Sequence, residues 1–292
     1  MHNLIATLKF LSHFIVNFWK GDGTMQEKDL LSIKEFSEFS KVKQSVLRYY
    51  DEIGLFSPVK RGENGYRYYS PHQLVSLKHI NVLTNLKAAL KDISAVSKNR
   101  TPESVLDLLM KQEVEFDKEM RKLQQAYSIV HVFRDLMQDA LSADEMKIVE
   151  RDIIATPLIM GPRNTFTENQ LFYKPFIHFC QKAKENRINL NYPVGGYFDD
   201  MDTFLKAPAQ PNHFFSLDPA GDDVKSAGRY IIGYARGYYG EMGDLPERLS
   251  AYAKEHALTP KGPVYVMYVL DELSTSDPSQ YLARVSIAVK PD

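Results

Sequence analysis

Cysteine is almost absent from this 292-residue sequence, and the single Cys180 excludes an internal disulfide framework or an all-cysteine zinc site within one chain. That usage fits a reducing cytoplasm. Cys180 falls on the apolar side of a helical pattern, where a lone thiol serves as a small hydrophobe. A long hydrophobic run is absent too. The most apolar stretch, residues 4–19, is interrupted by Lys9, His13 and Asn17. It falls short of the ~20 residues a membrane span needs and lacks a basic start followed by a small-residue cleavage site. No membrane partner is expected, and neither is a metal or other cofactor. Lys20-Gly21-Asp22 can be encoded by a purine-rich stretch of the kind that precedes a bacterial start codon. Translation is therefore expected to begin at Met25, with residues 1–28 an extension outside the fold.

Net charge of either sign is also missing, at -1 overall, but the balance hides an asymmetry. Residues 25–100 carry 13 Lys and Arg against 8 Asp and Glu, a surplus of 5, while residues 101–292 carry a net charge of -7. A basic module joined to an acidic one implies that the first meets phosphate and the second does not. The length favours two compact units over a single core, and 44% apolar with 25% charged residues is the profile of an ordered globular chain.

The basic module reads as two short helices joined by a tight turn. Ile33, Phe36 and Phe39 recur at helical spacing behind Ser32, and Glu35 is placed to complete a capping box. After a break at Ser40-Lys41, Val42, Val46, Leu47, Tyr50 and Ile53 form the apolar side of a second helix that Gly54 closes. Lys43, Gln44, Ser45, Arg48 and Tyr49 point away from that side. They offer donors to phosphates and base edges, as a recognition helix does. Val59-Lys60-Arg61 and Tyr66-Arg67-Tyr68-Tyr69 then flank Asn64-Gly65, a pair that favours a two-residue hairpin turn because both residues tolerate positive φ. In this basic wing Arg61 and Arg67 are expected to grip phosphates, and Tyr66 and Tyr68 to pack or to donate a hydroxyl to the DNA backbone, with at least one tyrosine in the core.

The run LRYYDEIGL, followed by a proline and then ENGYRYYS, resembles the signature of the MerR family of bacterial regulators over residues 31–93. The resemblance implies that Arg48 and Tyr49 lie on the recognition helix and Arg61, Tyr66 and Arg67 on the first wing. It further implies a helix pair over residues 71–93 with a second wing, where Lys87 and Lys91 face the DNA. Lys41, Lys43 and Val46 stand where Gly, Ser and Thr are common, and Lys87-Ala88-Ala89 replaces a Gly-containing turn. Metal and redox sensors of the family carry cysteines near the end of the dimer helix, and this chain has none there.

A long helix is expected over residues 101–143, starting at Thr101-Pro102-Glu103. Leu109, Glu113, Phe116, Met120, Leu123, Tyr127, Val130, Arg134, Met137 and Leu141 alternate spacings of four and three along it, an unbroken heptad seam. One isolated chain does not cover such a stripe over the ~60 Å of a 40-residue helix, so the apolar members are read as dimerisation residues, with packing against the chain's own C-terminal module as the alternative. The resemblance implies an antiparallel coiled coil between two subunits, in which Glu113 and Arg134 can meet.

Residues 145–292 change to strand-like runs separated by two helices. Strands are expected near 146–160, 191–200 and 213–218 around a helix at 168–186, then at 228–238, 263–271 and 281–289 around a helix at 244–257. Thr167 with Gln170, and Asp244 with Glu247, are placed as capping boxes, whereas Pro175 does not suit a helix interior. Two β-α-β-β units can share one antiparallel sheet with both helices on one face, leaving the other face to curve around a cavity. This order, with Gly262-Pro263-Val264-Tyr265-Val266-Met267-Tyr268, Asp277-Pro278 and the last strand, resembles the GyrI-like effector domain. Tyr197, Tyr230, Tyr234, Tyr238, Val266 and Tyr268 are the candidate ligand-binding residues, because aromatic walls attract flat, hydrophobic or cationic compounds. Val266 stands where drug-binding relatives place a glutamate, which points to a neutral or weakly cation-selective pocket unless Glu241, Asp271 or Glu272 substitutes.

The expected fold class is therefore α+β multidomain: a winged helix-turn-helix over residues 29–100, the dimerisation helix, and a tandem β-α-β-β antiparallel-sheet domain over residues 145–292. The expected function is a homodimeric transcription regulator that binds double-stranded promoter DNA. It would respond to a small-molecule effector and act on RNA polymerase indirectly, by distorting the promoter. The alternatives are a GyrI-like hydrolase, with Tyr, Glu and His256 at hand but no legible nucleophile-base pair, and a ligand-blind DNA-binding protein.

Overall fold

The computed structural model describes residues 29–166 and 173–291, so the expected start at Met25 and the Thr167 with Gln170 capping pair lie outside the described residues. Two compact units divide between Met120 and Arg121, inside the helix expected as a separate connector.

The first unit runs β1 (Leu31–Ser32), α1 (Ile33–Ser40), α2 (Gln44–Glu52), β2 (Lys60–Arg61), β3 (Arg67–Tyr69), α3 (Gln73–Asn85), α4 (Leu90–Lys98) and the start of α5 (Pro102–Leu141). Its three strands pair in the order β1-β3-β2. The capping box forms as the sequence predicts: Ser32 Oγ accepts from the Glu35 amide, and the Glu35 carboxylate accepts from the Ser32 amide at 2.8 Å. Phe36 of α1 stacks on Tyr69 of β3 at 4.6 Å, and Phe56 closes on Tyr69 at 5.8 Å. This buried stack locks the first helix to the wing and makes Tyr69 the core tyrosine of the wing, in a cluster that also holds Tyr50 of α2. Ile53, expected on the apolar side of α2, is instead its C-terminal cap and exposed, because Gly54 turns the chain away at φ +66°. The wing departs from a two-residue turn. Gly65 donates to the Gly62 carbonyl at 2.8 Å and Gly62 to that of Tyr66 at 2.9 Å, giving a longer loop in which Gly65, and not Asn64, takes positive φ.

The second unit holds the rest of α5, then β4 (Val149–Ile153), β5 (Thr156–Arg163), α6 (Tyr173–Lys182), β6 (Val194–Phe198), α7 (Met201–Lys206), β7 (His213–Ser216), β8 (Asp223–Lys225), β9 (Gly228–Arg236), α8 (Leu245–Glu255), β10 (Leu258–Leu270) and β11 (Leu282–Pro291). The eight strands form one sheet in the order β4-β9-β11-β10-β6-β7-β5-β8, antiparallel throughout. The strand expected at 146–160 is thus two strands. Ile154 and Ala155 carry the chain from β4 at one end of the sheet to β5 near the other, so the sheet must curl until its ends approach. Ser226 and Ala227 make the same jump between β8 and β9. Helix α7 and strand β8 were not legible, being only six and three residues long.

Strand alternation sorts the side chains to two faces. Val264, Val266, Val285, Ile287 and Ile231 pack with Leu245 and Leu249 of α8, while Phe214 packs with Phe179 of α6. The inner face of the curl carries Tyr230, Ile232, Tyr234, Tyr265, Met267 and Phe215, covered by Leu136 and Ala140 at the end of α5. The inner face was expected to enclose the cavity; it is instead filled with aromatic side chains. Asp244 begins α8 but makes no capping hydrogen bond, because its backbone (φ -89°, ψ 5°) does not aim its carboxylate at the helix amides. The carboxylate faces Arg248 at 3.6 Å instead. Pro175 stands in the first turn of α6, where it is tolerated.

Lys225 of β8 also points into the curl, and burial, reinforced by repulsion from Arg284 and opposed by Asp139, pushes its pKa from 10.5 down to about 7. Unfolded, this amine takes up its proton near 10.5; folded, it does so only near 7. Stability should therefore fall as pH drops through that window, at up to ~1.4 kcal/mol per pH unit, and level off below it. In Lys225→Met, chemical denaturation from about pH 7.5 to about pH 9 should show this slope removed and the variant the more stable protein at the lower end.

Candidate nucleic-acid interface and effector cavity

The residues expected to form the recognition surface lie at the start of α2 and along it. Lys43 is the N-cap, and Lys43, Ser45, Arg48 and Tyr49 are exposed, while Gln44 is half-buried and its carbonyl oxygen accepts from Arg48 at 3.4 Å. Tyr66 is exposed at the wing tip and Tyr68 half-buried beside Gly62. Lys91 is exposed on α4.

Arg61 and Arg67 are not simply free for phosphate. Arg61 Nη2 and Arg67 Nε each donate to Asp51 Oδ2 at 2.6 Å, and the side chain of Asp51 is 3% exposed. Burial pushes the Asp51 carboxyl up, but the two guanidinium groups outweigh it and hold the pKa below the ordinary aspartate value. Arg67, 21% exposed, is mainly a tie between wing and recognition helix, whereas Arg61, 54% exposed, keeps donors facing outward. Asp51 itself was missed. The signal was there, since it follows Leu47 by four residues and so sits on the apolar side of α2. Lys87, in the turn between α3 and α4, takes φ +59° and gives its ammonium to Glu119 of α5 at 2.7 Å, with the Phe116 ring 6.0 Å away. The expected DNA-facing lysine is thus held by a carboxylate, and Phe116 of the expected seam is half-buried beside it.

On the other residues of the expected seam, Leu109, Met120, Leu123, Tyr127, Val130 and Leu141 are exposed, Leu123 by 71% and Tyr127 by 66%. Met137 is half-buried. Arg134 pairs with its neighbour Asp135 at 2.7 Å.

In the second unit a cavity of about 820 Å³ opens on the outer face of the sheet. Phe133, Tyr173, Phe176, Tyr192, Phe214, Tyr238, Tyr239 and Tyr268 contribute aromatic walls, and Val266 and Gly196 form part of the floor. Of the predicted ligand residues, Tyr238, Val266 and Tyr268 line it. Tyr197, Tyr230 and Tyr234 do not, because strand alternation turns them to the inner face. There Tyr197 meets Tyr265 edge-on at 5.6 Å, and Tyr230 donates its hydroxyl to the Ser226 carbonyl at 2.8 Å. Tyr234 donates to Asp139 at 2.9 Å, with its own pKa pushed up to about 12 by burial and by that carboxylate. Asp139 also accepts from Arg151 at 2.7 Å and from Arg284 at 2.9 Å.

The cavity is acidic, and the carboxylates that the sequence offered in place of a glutamate at Val266 are the ones that line it. Glu241, Asp271 and Glu272 line it, with no lysine or arginine among the described lining residues. Tyr268 fixes this end: its hydroxyl accepts from the Gly240 amide at 2.7 Å and donates to the Tyr238 carbonyl at 3.1 Å. The loop so held aims the Glu241 carboxylate back at the Tyr238 amide at 2.9 Å. Glu272 accepts from the Tyr239 hydroxyl. Burial first, and the charge of Glu272 second, raise the pKa of Asp271 above an ordinary aspartate, with the Leu273 amide partly offsetting them.

Residues 31–99 match the family of MerR HTH family regulatory proteins. Over 98 residues the chain is 30% identical to the HTH-type transcriptional regulator HmrR of Rhizobium leguminosarum bv. viciae, a match that covers 32% of this chain and 75% of that protein. The chain belongs to the MerR family. As a member it is a DNA-binding transcriptional regulator, and the helix-turn-helix of α1 and α2 with its β2-β3 wing is the family's reading head. Similarity extends further for some relatives. The multidrug-efflux transporter 2 regulator of Bacillus subtilis (strain 168) is 26% identical over 268 residues, 90% of this chain and 97% of its own length. Among solved structures, the EcmrR–DNA complex in EcmrR-RPo covers 90% of this chain and 100% of its own at 16% identity, with a TM-score of 0.37.

For a MerR reading head assembled in this way, two substitutions separate positioning from contact. Arg48→Ala should weaken binding about equally to all DNA sequences and flatten the log-log salt dependence by roughly one unit, read by fluorescence anisotropy. Asp51→Asn should cost about 2 kcal/mol of stability in denaturant, because the two arginines lose their buried anion, and should reduce DNA affinity without reducing that slope.

Proposed function

We propose that this MerR-family chain works as a homodimer that binds promoter DNA through the reading heads and responds to a hydrophobic cation held in the second unit's cavity. The observation that carries this reading is the cavity itself: aromatic walls around three carboxylates with no basic side chain among the described lining residues. Aromatic faces add about 0.5–2 kcal/mol per cation contact as water is excluded, and carboxylates in a partly dry site strengthen the attraction. The similarity along 90% of this chain to a protein named as a multidrug-efflux transporter regulator supports a response to drug-like small molecules. The exposed apolar seam of α5 supports pairing of two copies, since a stripe of this length on a lone helix is left to water. We read the second unit as a sensor without turnover of its ligand, and the place of action as the cytoplasm, where the DNA is.

Two reading heads held at a fixed separation can bend or untwist the DNA between them. Such a distortion costs on the order of 1–6 kcal/mol for a site of 20–30 base pairs. A ligand that favours one arrangement of the dimer can supply energy of that size, and RNA polymerase then meets a reshaped promoter.

Three measurements test this. Leu123→Glu places a charge in the seam at a position exposed in the single chain, so it should leave the subunit folded and shift sedimentation equilibrium from dimer to monomer. Calorimetry should show tetraphenylarsonium binding and tetraphenylborate, an anion of the same shape, failing to bind; equal affinities would remove the cationic reading. Cation affinity should also fall on mild acidification, starting above the ordinary aspartate range. Asp271 binds the cation best when ionised, and its raised pKa brings protonation forward. Asp271→Asn should abolish that early loss.

A further inference from the structure

Inside the curl of the second unit, two tyrosine rings face an amine. Lys225, the last residue of β8, is buried, and its Nζ stands 4.7 Å from the ring centroid of Tyr230 and 4.8 Å from that of Tyr265. Its third contact is a 2.6 Å hydrogen bond donated to Ser286 Oγ. Among the described residues no carboxylate lies within ion-pairing distance of Nζ; the nearest influential acid, Asp139, is already taken by Arg151 and Arg284. Three N–H bonds thus meet one hydroxyl and two ring faces.

The parts of this cage differ in how firmly they are held. Its walls belong to the frame of the sheet, with Tyr230 on β9, Tyr265 on β10 and Ser286 on β11. The occupant belongs to the edge. β8 has three residues, pairs with β5 alone, and leaves Asp223 and Val224 exposed. A leucine or methionine would fill the same space without losing water from an amine. With burial bringing its pKa to about 7, Lys225 presents both amine and ammonium near neutral pH.

We propose that Tyr230, Tyr265 and Ser286 form a second ligand site, specific for the head group of a primary alkylamine, which Lys225 fills as a tethered occupant. The site lies on the opposite face of the sheet from the acidic cavity and does not depend on what that cavity binds. A tethered occupant competes at high effective concentration, so a free amine enters only when β8 withdraws its lysine. Entry therefore releases the edge strand from the inside of the curl.

Lys225→Ala in the full chain removes Cγ to Nζ, the atoms of n-propylammonium. Thermal unfolding and calorimetry with n-propylammonium chloride, 1-propanol and tetramethylammonium chloride read the result, with the unaltered chain and Lys225→Met as proteins whose cage is full. Binding to the outer cavity is common to all three proteins and cancels in the comparison. The expected outcome is that n-propylammonium binds Lys225→Ala at least roughly tenfold more tightly than either control protein and raises its Tm by several degrees. The alcohol, whose single O–H cannot meet the Ser286 hydroxyl and both ring faces together, and the quaternary ion, which lacks N–H donors, should not. Adding Tyr265→Leu should erase the gain. Should Lys225→Ala fail to fold alone, recovery of its folded signal in n-propylammonium but not in 1-propanol supports the site. A folded variant that treats the two compounds alike, or an unfolded one that n-propylammonium does not recover, overturns it.

Discussion

Two residues between β4 and β5, and two between β8 and β9, set the geometry of the whole second unit. Each pair joins a strand at or near one end of the sheet to a strand at or near the other, so the ends cannot lie far apart, and eight strands have to curl around a narrow interior. Bulky residues that alternate inward then meet across it: Phe215 and Tyr265 contact edge-on at 5.7 Å, and Leu136 and Ala140 of α5 close the opening. No room is left there for a ligand of drug size. The outer face is different because it carries two separate helices, α6 and α8, with the loop of Tyr238 to Glu241 beside them. The space that these do not fill is the cavity.

In the first unit the comparable constraint is a single carboxylate. A two-strand wing is too short to hold its own position; β2 contributes two residues and β3 three. Asp51 fixes it through Arg61 and Arg67 from one side, and the stack of Phe36, Phe56 and Tyr69 fixes it from the other. The charge committed to an internal pair ties the wing to α2 and so fixes where the outward donors of Arg61 stand relative to Arg48. Two arginines that look equivalent along the chain thus differ, Arg67 turned to the internal tie and Arg61 left more open to solvent.

The reading head was legible because its signals are local. The Ser32 and Glu35 box, the Gly54 stop and the Gly65 turn each act within a few residues, and the apolar spacing of Leu47 and Tyr50 needs no knowledge of what covers them. The seam of α5 was legible for the same reason. The effector unit gave up its strands and the two faces of β9 and β10 by alternation, but not which face holds the cavity. That choice rests on the linkers at 154–155 and 226–227, whose reach across the sheet is a long-range property of strand pairing. Hence Tyr230 and Tyr234, correctly placed on one face, were assigned to the wrong side of the wall. The carboxylates were legible as candidates, since Glu241, Asp271 and Glu272 could be named as substitutes for a glutamate at Val266, but not as a group, because they come together only through the turns after β9 and β10.

The wall between the two faces is one strand thick, and the register of β10 decides what each face receives. Tyr265 and Met267 point in, Val264, Val266 and Tyr268 point out, and the pairings Tyr265 with Ser286 and Val266 with Val285 hold that assignment. Inside, Arg151 and Arg284 pair with Asp139 while Lys225 donates to Ser286; outside are three acids and no base among the described lining residues. A slip of one residue in β10 would exchange its own inward and outward side chains, placing Tyr268 in the packed curl and Tyr265 in the cavity. The broken pairing between Pro260 and Val264 absorbs the irregularity of the turn at Gly262 before the functional stretch begins, so the register from Val264 to Tyr268 is set by its neighbours β6 and β11 alone. Which side chains of β10 wall the outer cavity and which fill the curl therefore follows from backbone pairing, before any single side chain is considered.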